Sequence, residues 1–98
     1  MKQDRQIVPG ISITSTGQAT VAPEVAEVLF DLALILEEPT RLPVDVEHVL
    51  AAIVLAVNQG ELNPALELKA NNPTLVKVLE RHVKTIFADY DGQVGRDD

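Results

Sequence analysis

The sequence predicts an all-α fold: a small bundle of three main helices and one short helix around a central apolar helix, with an extended or disordered N-terminal arm. Three observations carry this expectation. From Val46 to Val57 the chain reads VEHVLAAIVLAV, and no side chain from Val49 to Val57 is polar. A helix of that composition has almost no face suited to water and needs cover on most sides. Segments opening at Pro23 and at Asn72-Pro73 space their apolar residues as helices do, and Pro, Gly and Asn punctuate the joints. The chain divides into an arm (1–20), a helical domain (21–90) and an acidic tail (91–98).

The arm holds Ile7, Val8, Ile11 and Ile13 among Ser, Thr, Gly and Gln, with Pro9-Gly10 as a turn signal. ISIT alternates weakly, which suits a short edge strand, an extended arm or a mobile tail equally, because nothing later in the chain reads as a strand partner.

Thr20 to Glu38 fits two periods. As a strand, Ala26, Val28, Phe30, Leu32, Leu34 and Leu36 line one face; as a helix, Glu24, Glu27, Asp31 and Glu38 form one narrow acidic stripe and leave the rest apolar. Leu, Ala and Glu dominate, Pro23 suits a first turn, and Glu24 sits where the helix dipole favours an anion. The first helix is therefore expected over 23–38, ended by Pro39.

The central helix is expected over 45–59, capped by Asp45 and stopped by a left-handed Gly60. It is longer than the buried strands of parallel sheets, and shorter than the roughly 20 apolar residues of a membrane span. Asn63-Pro64 then resembles an N-cap followed by a first-turn proline, with ALELKA giving at most a short helix. The same signal at Asn72-Pro73 opens the last helix, 73–88. Its Leu75, Val76, Val78, Leu79, Val83, Ile86, Phe87 and Tyr90 form one broad face, opposite Lys77, Glu80, Arg81 and Lys84. Glu80 and Lys84 stand four apart in the favourable order. The expected core is Leu29, Leu32, Leu36, Leu50, Ile53, Val57, Leu79, Val83 and Ile86.

Ninety-eight residues suffice for one domain. The absence of cysteine excludes disulfides, thiolate nucleophiles and Cys-ligated zinc, and suits a reducing compartment. MKQDRQIVPG has no continuous apolar run of a secretory signal, so a cytoplasmic location is the default expectation. A net charge of −7 argues against nucleic acid or an anionic membrane as partner. The charge is also uneven: between Glu24 and Glu67 the acids face Arg41 alone, whereas Lys69, Lys77, Arg81 and Lys84 follow with only Glu80 among them.

Two short stretches resemble known families. Glu47-His48-Val49-Leu50-Ala51-Ala52-Ile53, within this order of helices, looks like one repeat of the Clp ATPase N-terminal domain, where a Glu-His-Leu-Leu helix follows a threonine cap. Here Val46 occupies the threonine's place and a single repeat is present; the resemblance implies docking of substrates or adaptors. Ile13 to Val28, ITSTGQATVAPEVAEV, is similar to the opening of SIMPL-type domains, with Gly17, Pro23 and Ala26 in matching places, and that resemblance implies a strand over 23–36. Both resemblances are short, so the expectations rest on the residues and adopt neither.

Catalytic and metal chemistry find little support. His48, beside Glu47 at the start of the central helix, could serve as a general base or ligand, or as a half-buried capping residue. His82 lies among Leu75, Val78 and Ile86, which suits the edge of a core. Neither histidine has the spacing of a zinc motif. Asp89, Asp91, Gly92, Val94 and Asp98 fit positions of a calcium loop, but its first position would be Phe87, which cannot ligate. Ser12 and Ser15 lack a nucleophile elbow, and no Gly-rich phosphate loop is present.

The expected function is thus a small non-catalytic protein–protein interaction module, without cofactor, whose partner is another protein or a copy of itself. Its candidate surface is Glu24, Glu27, Phe30, Asp31 and Leu34 on the first helix and Lys77, Arg81 and Lys84 on the last, with Ile35 at the margin. The alternative is a metal-responsive or catalytic domain built on His48 and nearby carboxylates.

Overall fold

The computed structural model describes residues 5–95, and side chains up to Asp89. Three strands, β1 (Arg5–Val8), β2 (Ile11–Ile13) and β3 (Ala19–Val21), precede three helices, α1 (Pro23–Thr40), α2 (Val46–Asn58) and α3 (Pro73–Gly95). The strands form one antiparallel meander in the order β1-β2-β3, so the domain is α+β and the expected all-α class is corrected.

The strand partners lie within the first 21 residues, each strand pairing with the next. Pro9-Gly10 closes a two-residue hairpin that sets Val8 opposite Ile11, and Gly10 has the positive φ (93°) such a turn demands. The second hairpin is closed by Thr14–Gln18, where Gly17 is left-handed and Thr14 Oγ1 accepts the Gln18 N–H at 3.1 Å. Ile7, Val8 and Ile11 are fully withdrawn from water, and Ile13 and Val21 pack beside them. A bulge between Gln6 and Val8 lets Ile7 and Val8, adjacent in sequence, both be buried. The Ala22 N–H then bonds to Gly10 O (2.8 Å), which fastens the entry of α1 to the first turn.

The helix over Pro23–Thr40 removes the strand that the SIMPL resemblance implied for 23–36, although the β2–β3 hairpin falls within the resembling stretch. Pro39 does not end α1. It sits in the last turn, Thr40 Oγ1 donates to Leu36 O (2.6 Å), and termination falls to Arg41, left-handed at φ 57°, whose N–H reaches Glu37 O. α2 opens on Asp45 and closes as expected, with Gly60 at φ 78° and the Glu61 N–H returning to Ala56 O at 2.8 Å.

The expected short helix after Asn63-Pro64 does not form. Asn63 Oδ1 accepts the Ala65 N–H (2.8 Å), but the backbone then runs without regular structure, and Leu66 and Leu68, two apart, turn inward together. At Asn72-Pro73 the same signal does start a helix: Asn72 Oδ1 accepts from the Thr74 and Leu75 N–H groups at 3.0 and 3.2 Å. α3 runs past its expected end, through Gly92 to Gly95. A helical backbone over Asp89, Asp91, Gly92 and Val94 is not a calcium loop, and Asp98 lies outside the described residues.

The helices pack mutually and the sheet adds Ile7, Val8 and Ile11 to one continuous core. Leu29, Leu32, Leu36, Ile53, Leu79 and Val83 are buried as expected, while Leu50, Val57 and Ile86 are half-buried against the core. On α2 the stripe Val49, Ala52, Ile53 and Ala56 is fully covered, Leu50, Val54, Leu55 and Val57 only partly, and Ala51 is exposed. The sheath around the apolar helix is therefore one-sided. Among the described residues no helix is long and apolar enough to cross a membrane.

Candidate functional site

α1 turns Leu29, Leu32, Ala33 and Leu36 into the core, and helical periodicity fixes what remains outside. Phe30 (59% exposed) and Leu34 (69%) stand four apart in one outward row, and Ile35 (40%) lies across the helix from them. Glu24, Glu27, Asp31 and Glu38, all exposed, occupy the row between, and Glu37 borders Phe30 on its other side. Phe30 and Leu34 thus leave two large apolar side chains adjoining on the outer face of α1, where water gives them no cover, with Ile35 beyond the acidic row.

Two hollows flank this face. One, of about 310 Å³, lies between α1 and the turn before α3 and is lined by Asp31, Leu34, Ile35, Ala70 and Asn71. At the other end Glu24 and Glu67 meet at a second hollow beside the Pro9-Gly10 turn, so a carboxylate from the α2–α3 connection extends the acidic row. Among the described residues none of these acids has a salt-bridge partner.

The basic residues of the candidate surface lie on another helix. Lys77, Arg81 and Lys84 are exposed on α3, but Arg81 is bonded to Glu61 and Lys84 pairs with Glu80 at 3.3 Å. The fold thus gathers Glu24, Glu27, Phe30, Asp31 and Leu34 on one helix and leaves the three cations on another, two of them already matched.

Sequence reasoning missed the cluster around Glu61. His82, 5% exposed, donates from Nε2 to Glu61 Oε1 at 2.8 Å, and Arg81 Nη2 donates to the same oxygen. The His82 hydrogen bond, helped by the bond and charge of Arg81, outweighs partial desolvation and holds the Glu61 carboxyl below its ordinary value. Some twenty residues separate acid from bases, so no spacing rule could reveal the pairing. The cluster ties the α2–α3 connection to α3, and none of the cavities described here opens on it.

His48 lines a hollow of about 430 Å³ with Pro43, Glu47, Ile86 and Phe87. Its ring packs against Phe87 with centroids 4.5 Å apart, and its Nδ1 accepts the Asp45 N–H at 2.9 Å while Asp45 Oδ1 accepts the Val46 N–H at 2.8 Å. This is a capping box in which imidazole stands in for the usual Glu. An imidazole accepting at Nδ1 carries its proton on Nε2, so the ring has no second lone pair for a metal or a substrate proton while the cap is closed. Glu47 Oε2 lies 3.9 Å from Nε2, too far for a hydrogen bond. Among the described residues no group of three or more His, Asp or Glu side chains is placed to share a cation. Comparison with protein-family models, with curated proteins and with solved structures finds no match for this chain.

Proposed function

We propose that the protein is a non-catalytic interaction module that docks another protein on the outer face of α1. The observation that carries this reading is the exposure of Phe30, Leu34 and Ile35 on a helix whose opposite side already fills the core. The core does not need these side chains, and solvent alone gives no reason to place them there. Support also comes from the chemistry of the histidines: one closes a helix cap and the other is spent on Glu61.

The test is a Phe30→Ser/Leu34→Ser variant. Exposed positions tolerate such changes within about 0.5 kcal/mol, so its melting temperature should match that of the parent. Affinity capture with the two proteins side by side should recover a partner with the parent only, and that purified partner should shift amides on α1. A partner retained equally by the variant, or one that maps to another face, would refute the reading.

A further inference from the structure

Resting on that reading, we infer that the partner of the α1 face is a basic amphipathic helix, whose apolar stripe meets Phe30 and Leu34 while the Lys and Arg residues flanking it reach Glu27, Asp31 and Glu38. Three observations select this occupant. First, the apolar and acidic side chains of α1 form adjacent rows of the same helical period, Phe30 and Leu34 beside Glu27 and Asp31. From Glu27 to Glu38 these rows extend about 16 Å, a length that three turns of a helix laid alongside would match.

Second, the carboxylates are unmatched. Among the described residues none of Glu24, Glu27, Asp31, Glu37 and Glu38 has a salt-bridge partner, whereas Glu61 and Glu80 both do. Like charges four apart on one helix face repel, and a cationic partner relieves that repulsion as it binds. Third, Asp31 lines the same hollow as Leu34, Ile35 and Ala70, which suits an apolar anchor with a base close by.

A second copy of the chain fits less well. Packing α1 on α1 about a two-fold axis would press the acidic rows together on a protein of net charge −7. Packing α1 on the cations of α3 would take Arg81 from Glu61 and Lys84 from Glu80, and such a head-to-tail contact need not close. Anionic lipid and nucleic acid are repelled by the same row.

The experiment titrates isotope-labelled full chain with two synthetic helical peptides of about 16 residues, each with Leu at i, i+3, i+4 and i+7. In one, Lys flanks the Leu stripe; in the other, Glu does. The Lys peptide should shift amides of 27–38 and of Ala70 and Asn71, bind more weakly as salt rises, and bind roughly tenfold more tightly than the Glu peptide. Glu27→Lys/Asp31→Lys should reverse that preference. Glu27→Gln/Asp31→Asn, a milder change that keeps side-chain shape, should abolish most of it.

Equal binding of both peptides at the α1 face would overturn the basic partner and leave the docking face standing. So would a dimer in sedimentation equilibrium that is lost in Phe30→Ser/Leu34→Ser. A monomeric protein whose α1 amides respond to neither peptide would overturn the inference and count against the docking face as well.

Discussion

Replacing Gly10 with Ala tests the contact that makes this an α+β domain. A Cβ on Gly10 would overlap Val25 Cγ2 on α1 and lie 3.1 Å from Val25 Cβ, on a backbone held at φ 93°. The left-handed backbone alone costs an L-residue about 1–2 kcal/mol, and overpacking adds about 1–3 kcal/mol. The sum is roughly 2–5 kcal/mol, or on the order of 10 °C or more in melting temperature for a domain of this size. Gly17 supplies the control: its φ is 92°, yet nothing lies within 4 Å of an added Cβ, so Gly17→Ala should carry the backbone cost alone. Trimming the obstacle should restore part of the loss, so urea denaturation of Gly10→Ala, Val25→Ala and the double variant should show a favourable coupling of about 0.5–3 kcal/mol. Equal destabilisation by Gly10→Ala and Gly17→Ala, or zero coupling to Val25, would mean that the hairpin does not rest on α1.

Ile53 is fully buried on α2, and Ile53→Asp exchanges its burial, worth about 1.5–3 kcal/mol, for an unpaired carboxylate costing several kcal/mol more, so circular dichroism and heating should show no cooperative transition. Glu61 is held below its ordinary carboxyl value of 4.5, first by the His82 hydrogen bond. A depressed folded value contributes stability that is complete above the unfolded value and is lost as pH falls through the folded one. Wild type should therefore exceed Glu61→Gln in melting temperature at pH 6, and that lead should shrink from about pH 4.5 downward. A lead that is constant, or grows on acidification, would contradict the pairing.

What the sequence made legible follows from range of interaction. Helix punctuation is local, so Asp45, Gly60, Pro23 and Asn72-Pro73 announced α1, α2 and α3 without help from the fold. The sheet escaped because its strands have only three or four residues, and a bulge puts Ile7 and Val8 inward together, which erases the alternation that marks a strand. Each strand pairs with its neighbour in sequence, so the sheet needs no strand from the remainder of the chain. Asn63-Pro64 misled because a cap signal needs a following stretch that buries one helical face. Leu66 and Leu68 repeat at two residues instead, and Glu61 holds the segment to α3.

On the candidate surface, Phe30, Leu34 and the acids of α1 could be foreseen because one helix carries them all. The engagement of Arg81 and Lys84 could be foreseen only for Lys84, whose partner is four residues away. The position of His48 at the start of α2 suits a capping role, but its acceptor at Nδ1 emerges only from the position of the Asp45 N–H.

The meander β1-β2-β3 also bears on how quickly the chain finds its shape. Strands joined by turns as short as Pro9-Gly10 close small loops, so little entropy is surrendered before pairing begins to reward it. The N-terminal hairpins and α1, stitched at Ala22 and Gly10, can organise while α3 is still being synthesised. The ties from Arg5 to Asn58 and from Glu61 to Arg81 and His82, like the packing of α3 on α1 and α2, must wait for distant parts of the chain. Refolding on a sub-second timescale, checked by stopped-flow fluorescence or circular dichroism, is the expectation for a topology of short turns and neighbouring strands.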